Sequence, residues 1–194
     1  MSFYAEDAAV PTELRTDEFL LRVLRATDAA LDYDAVMAST EILHLRSGGE
    51  WPRDGFTLQE NVADLERHEA EFHARTSFTY TVMNPTGTEC LGCVYIYPLE
   101  ELRRRAGIAQ GRFLPVPDGA AEVSFWVRQS RIADDLDRRL LAALLPWLRD
   151  DFAFARVYLR AYAREARQVA ILREAGLRLV YAHPVGDTEL LLFA

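Results

Sequence analysis

Residues 121–150 read AEVSFWVRQSRIADDLDRRLLAALLPWLRD, and how this stretch is read decides the fold. Ala121–Val127 combines β-branched and aromatic residues with a period of two. That pattern predicts a strand with Glu122, Ser124 and Trp126 on one face and Val123, Phe125 and Val127 on the other. Leu136, Leu140, Leu144 and Leu148 then recur at helical spacing, predicting a helix over Leu136–Asp150 that Pro146 kinks by deleting a backbone donor. Downstream, Arg156–Tyr162 reads as a strand, and Arg164–Ala175 as a helix ended by Gly176. The turn between the first strand and its helix is Ile132-Ala133-Asp134-Asp135-Leu136-Asp137. A helix start is an anion site when its amides are bare and glycines allow close approach; this turn carries carboxylates. Asp134 or Asp135 is expected to cap the helix with its own side chain. A carboxylate about 6 Å from a phosphate would repel it by roughly 3 kcal/mol at an effective dielectric of 20. Arg128, Arg131, Arg138 and Arg139 flank the turn and are read as partners of its acids.

Working outward, Leu177–His183 and Thr188–Phe193 form a closing strand pair around Pro184–Asp187. Towards the N-terminus, Phe78–Met83 and Cys90–Tyr97 form a hairpin about Asn84-Pro85-Thr86-Gly87. Glu18–Leu24 is a first strand, and Thr27 with Asp28 starts a helix to about Ser39. Thr57-Leu58-Gln59-Glu60 is a capping-box pattern opening a helix to about Ala74, striped by Leu58, Val62, Leu65 and Phe72. Pro98–Gly119 inserts a short charged helix, Leu99–Ala106, and a loop between strands. Arg103-Arg104-Arg105 reads as its solvated face.

The chain has 194 residues, half of them hydrophobic, which is enough for one domain with a real core. A net charge of −8 excludes a nucleic-acid surface, which needs clustered Lys and Arg. Met1–Ala30 shows no basic start followed by an apolar run, and no stretch reaches the roughly 18 apolar residues of a membrane span, so the expected compartment is the cytosol. Cys90 and Cys93, three apart on a strand, should face opposite ways, so neither a disulfide nor a metal site is expected. His68 and His73 are wrongly spaced for one helix face, and His44 and His183 stand alone; a structural or surface role is expected for all four.

The order β-α-α-β-β-β-α-β-α-β-β resembles the GNAT superfamily of acyl-CoA-dependent N-acyltransferases over about residues 18–193. Leu21-Arg22 with Asp28-Ala29, Gly92 after the hairpin turn, and Gly176-Leu177 each coincide with family patterns. The resemblance implies an α/β domain with a mixed, mostly antiparallel sheet flanked by helices, 98–120 being an insert. It implies acetyl-CoA or another acyl-CoA as cofactor and an amine of a small molecule or protein as acceptor. Glu122 takes the place of the family's general base, though pairing with an arginine accounts for it equally. The family's general-acid tyrosine aligns with Leu172, so Tyr162 or Tyr158 would substitute, and its asparagine near the cofactor aligns with Glu165. Strand amides around Trp126, Val127 and Arg128 would polarise the thioester, and Arg131, Ile132 and Ala133 would meet the diphosphate. The family's glycines fall on Ala133, Asp135 and Asp137. That departure supports the alternative of an inactive binding or regulatory module with weak or no acetyl-CoA binding. Loop Ser47–Phe56, with Trp51 and Asp54, and the insert are read either as pocket walls or as plain surface. Exposed apolar residues of the closing strands would suit a homodimer.

Overall fold

A computed structural model describes residues 3–194. Strands β1 (Glu13–Arg15), β2 (Leu20–Val23), β3 (Phe78–Met83), β4 (Cys90–Pro98), β5 (Ala120–Val127), β6 (Arg156–Tyr162), β7 (Leu179–Val185) and β8 (Thr188–Phe193) share one sheet. Their order is β1-β2-β3-β4-β5-β6-β8-β7. Every neighbouring pair is antiparallel except β5 and β6. A parallel pair needs a crossover, and α5 (Leu136–Asp150) supplies it.

Helices cover both faces, so the central strands β3 and β5 are buried at every position. Val123, Phe125 and Val127 of β5 pack with Leu140, Leu144 and Leu148 of α5 and with Ile171 and Leu172 of α6 (Ala166–Glu174). On the other face, α1 (Ala29–Met37), α2 (Thr40–Ser47) and α3 (Leu58–His73) cover Met83, Cys93 and Trp126. A shorter helix, α4 (Leu99–Arg105), packs Leu99 and Leu102 against Tyr158, Leu190 and Leu192. No described helix is long and apolar enough to cross a membrane.

Locally coded elements stand where the sequence places them. The capping box forms: Thr57 Oγ1 accepts from the Glu60 amide at 3.3 Å, and Glu60 Oε2 accepts from the Thr57 amide at 2.9 Å. The Leu136–Asp150 helix runs unbroken through Pro146. Other expectations need correction. A short strand, Glu13–Arg15, precedes the expected first strand and pairs Glu13 with Arg22, and Tyr4 lies in the core, so packing begins well before residue 18. The helix expected from Thr27 begins at Ala29, and Asp28 makes no side-chain cap because its carboxylate meets Arg22 at 2.7 Å. Helix α2 was not anticipated; only Leu43 of its eight residues is buried, so its apolar stripe is too thin to read. Helix α6 starts two residues later than expected, at Ala166, and β7 starts at Leu179 rather than Leu177.

A bulge in β4 has the widest consequences. Val82 faces Gly92 but Met83 faces Cys90, so Leu91 is an extra residue. The shift of one residue turns Cys90 and Cys93 to the same face, against the expectation of opposite ones. Gly92 sits at φ +148, and a Cβ there would stand 2.1 Å from the Trp126 carbonyl oxygen. We expect Gly92→Ala to cost on the order of 3 kcal/mol in urea unfolding; an unchanged midpoint would show that the strand relaxes without cost.

Candidate active site at the parted strands

Strands β5 and β6 pair only from Ala120–Arg156 to Val123–Leu159. Beyond that β5 stays with β4 to Val127, while β6 follows β8 to Tyr162. The resulting fork leaves one edge of Phe125–Val127 without a strand partner. A cavity of about 460 Å³ opens over it on the α1–α3 side. The strand alternation sends Glu122, Ser124 and Trp126 into this cavity and leaves Val123, Phe125 and Val127 in the core, as expected.

Glu122 is 1% exposed, and its two oxygens are held by different guanidinium groups. Arg160 Nε donates to Oε2 at 3.2 Å, and Arg105 Nη2 reaches Oε1 at 3.5 Å. Arg160 also donates to Ser124 Oγ at 2.9 Å, while Arg105 lies 4.2 Å over the Tyr97 ring. Tyr162 lines the same wall, flanked by Arg160 and Arg164 at 5.2 and 5.1 Å from its ring centre.

Arg46 of α2 fills the fork itself. Its Nη1 donates to Phe125 O at 3.0 Å and lies 3.6 Å from Glu165 Oε1. Glu165 in turn accepts from the Tyr162 amide at 2.7 Å. Burial and then the nearby Arg160 charge both disfavour the charged form of Arg46, and Glu165 works against them.

At the start of α5, Asp135 occupies the cap position with a left-handed backbone, φ +55, and its side chain makes no capping bond. The cap expected from Asp134 or Asp135 therefore does not form, although Asp137 Oδ1 accepts the Arg138 amide at 3.0 Å. Arg167, from the first turn of α6, draws the acids away. It donates to Asp137 Oδ2 at 2.6 Å, Asp135 Oδ1 at 2.8 Å and the Ile132 carbonyl at 3.1 Å. A planar fork of donors satisfies two carboxylates and a carbonyl at once. The Arg167 hydrogen bond holds the Asp135 carboxyl below the usual range.

Solved structures with this fold identify the frame. The chain superposes on the ribosomal-protein-S5-alanine acetyltransferase from Vibrio fischeri with a TM-score of 0.71, at 13% identity over 94% of this chain and 95% of that one. It matches RimL, a ribosomal L7/L12 α-N-protein acetyltransferase in complex with coenzyme A, at TM-score 0.68 and 13% identity over 92% and 93%. It also matches the microcin C7 self-immunity acetyltransferase MccE in complex with acetyl-CoA and AMP, at TM-score 0.70 and 11% identity over 95% and 96%. The chain has the GNAT fold. No family model matches the chain, and no curated protein matches it by sequence.

Within the GNAT frame the expected site residues divide. Glu122, Tyr162 and Trp126 line the cavity together. Trp126 donates from its indole to Tyr95 at 3.2 Å. Tyr158, the other tyrosine considered, is buried against Leu99 and Leu190. Arg128 is a correction: its amide is spent on Leu91 O at 2.7 Å, and its side chain pairs with Asp34 at 2.6 Å. By ladder alternation the amides facing the fork are those of Phe125 and Val127. Arg131 reaches Glu89 at 2.8 Å, so neither it nor Arg128 pairs with the turn acids. Arg138 does pair with Asp135, and also with Glu174, while Arg139 pairs with Glu18 and the Asp134 carbonyl. Ile132 borders a narrow cleft of about 90 Å³ shared with Arg46, Val127 and Arg167; Ala133 is exposed. Leu172 is fully buried, so no proton donor stands there. Trp51 lines the cavity, whereas Asp54 is exposed.

Sequence reading missed Arg46, Arg160 and Arg167, whose carboxylate partners lie on other elements. His68 closes one side of the cavity, with Nδ1 3.1 Å from Thr79 Oγ1 and 3.4 Å from the Tyr97 hydroxyl. Burial, then Arg67 and Arg105, lower its pKa against the opposing pull of Asp64 and Glu71. A base whose folded pKa lies below its ordinary 6.5 binds its proton less readily than the unfolded chain does. Its contribution is then complete above that pH and is lost as pH falls below it. The stability gap between the parent and His68→Asn should therefore narrow between about pH 7.5 and about pH 5.5 in denaturant titrations. A constant gap would show that His68 charges freely in the fold.

Proposed function

We propose that the chain transfers an acyl group from an acyl-CoA to an amine, small or protein-borne, held in the cavity over the fork. The fork carries this reading. Its open edge offers Phe125 and Val127 backbone groups to which an extended, amide-bearing arm can add as a strand would. Bound acyl-CoA would supply an activated thioester beside Glu122. An amine is protonated at neutral pH and must lose a proton before it attacks. Glu122, directly or through a water, is the carboxylate placed to take it. The Val127 amide is oriented to polarise a carbonyl, and Tyr162, on the same wall, is the hydroxyl available to return a proton. The acceptor's ammonium must compete with Arg105 and Arg160 for Glu122.

The residues fit the cofactor unevenly. The Val127 edge of the fork would suit the arm once Arg46 leaves the Phe125 carbonyl, but the turn 132–137 does not suit a diphosphate, because Arg167 is committed to Asp135 and Asp137. Two guanidinium groups thus stand where a cofactor would lie, Arg46 in the fork and Arg167 at the turn. This favours the second reading, a GNAT-fold binding module that does not transfer acyl groups.

Calorimetric titration with acetyl-CoA separates the two. The acyltransferase reading expects binding by the parent, about tenfold tighter binding by Arg46→Ala, equal to about 1.4 kcal/mol, and about 100-fold slower amine acylation by Glu122→Gln. No heat at millimolar acetyl-CoA from either the parent or Arg46→Ala would end it and leave the binding module.

A further inference from the structure

The bulge in β4 gathers a second cluster away from the cavity. Cys90, Cys93 and Asp32 of α1 are each at most 4% exposed, and one ligand atom from each lies within 4.8 Å of the other two. Asp32 Oδ1 is 3.9 Å from Cys90 Sγ and 3.4 Å from Cys93 Sγ. A tetrahedral zinc ion with Zn–S of about 2.3 Å and Zn–O of about 2.0 Å sets S···O edges of about 3.5 Å. The three donors already stand near the corners of such a site.

We propose that Asp32, Cys90 and Cys93 bind a structural zinc ion that ties α1 to β4. Two thiolates and a carboxylate are a donor set that zinc accepts and that magnesium or calcium does not. None of the three lines the cavity at the fork, so the site is closed and its role is to hold the fold together. Asn61 adds an independent observation. Its Nδ2 donates to Asp32 Oδ2 at 3.0 Å and to Ala29 O at 3.1 Å, while its Oδ1 is buried with no hydrogen-bond partner among the described residues. Asn61 thus holds the second carboxylate oxygen of Asp32 and leaves Asp32 Oδ1 to face the two sulfurs. With three protein donors, a water entering with the ion would take the fourth corner. The charges balance: Zn²⁺ enters, both thiols lose their protons to solvent, and the net buried charge stays at that of one carboxylate. Because the cluster is sealed, the ion enters as the chain folds. The inference is independent of acyl transfer.

The test refolds the full chain from denaturant under reducing conditions with one equivalent of zinc, followed by native mass spectrometry and metal analysis. One zinc per chain, with the loss of two protons, is expected. Cobalt in its place should give thiolate-to-cobalt charge-transfer and tetrahedral d–d absorption, and Cys93→Ser should abolish that charge-transfer intensity or reduce it by about half. A parent chain that folds without metal and releases two free thiols on unfolding would overturn the proposal. So would a disulfide, seen as the loss of two hydrogens without added metal. These readouts need only the parent, so a variant that fails to fold does not weaken the test.

Discussion

The ion pair between Glu122 and Arg160 joins β5 to β6 where their ladder ends, and the functional geometry depends on it. Both side chains are largely removed from water, with 2% and 12% of their surfaces exposed. Removing one partner of such a pair leaves a buried charge and typically costs about 3–5 kcal/mol. The strands can therefore separate past Val123 without either residue turning away. Arg160 spans the gap to Ser124 and fixes the cavity floor, and Arg105 brings α4 over its rim.

The same device recurs around the site, since an arginine from one element satisfies acids or carbonyls of another. Arg46 crosses from α2 to the fork, and Arg167 crosses from α6 to the turn before α5. They differ in how firmly they are held. Arg167 is clamped by two carboxylates, and its charged form is favoured first by the Asp137 hydrogen bond. Arg46 stands in a desolvated place beside Arg160, with Glu165 3.6 Å away as its counter-charge. An incoming ligand would find Arg46 the easier of the two to displace. The acids of the turn before α5 are held by this cross-element pairing, Asp137 also by the Arg138 amide.

The other face is organised by the bulge at Leu91–Gly92. One extra residue changes which side chains meet α1, and it brings the Gly92 backbone against the Trp126 carbonyl so that β4 and β5 stay in register to Val127. Trp126 then reaches Tyr95 across the cavity wall, while Cys90 and Cys93 turn together beneath Asp32. A single irregularity thereby serves both the cavity and the sulfur cluster.

Elements whose cause is local were legible in the chain. The Phe78–Met83 and Cys90–Pro98 hairpin follows from a turn cluster between β-rich runs, α3 from its capping box, and α5 from its leucine spacing. The inward set of Glu122, Ser124 and Trp126 follows from strand alternation alone. Helix α2 and strand β1 were not legible, because neither carries a pattern above background and both exist by packing on neighbours. The Arg138–Asp135 pair was legible from its spacing, but the pairing of Arg160 with Glu122 and of Arg167 with Asp135 and Asp137 was not, since charge pairing between distant segments leaves no spacing to read. The sequence by itself determined the order of the elements from α3 onward and the face that β5 turns inward, because propensity and periodicity act between near neighbours. Tertiary structure alone decided where β5 and β6 part, which arginine meets which acid, and that two cysteines share a face, because each depends on register and on contacts between segments far apart in the chain.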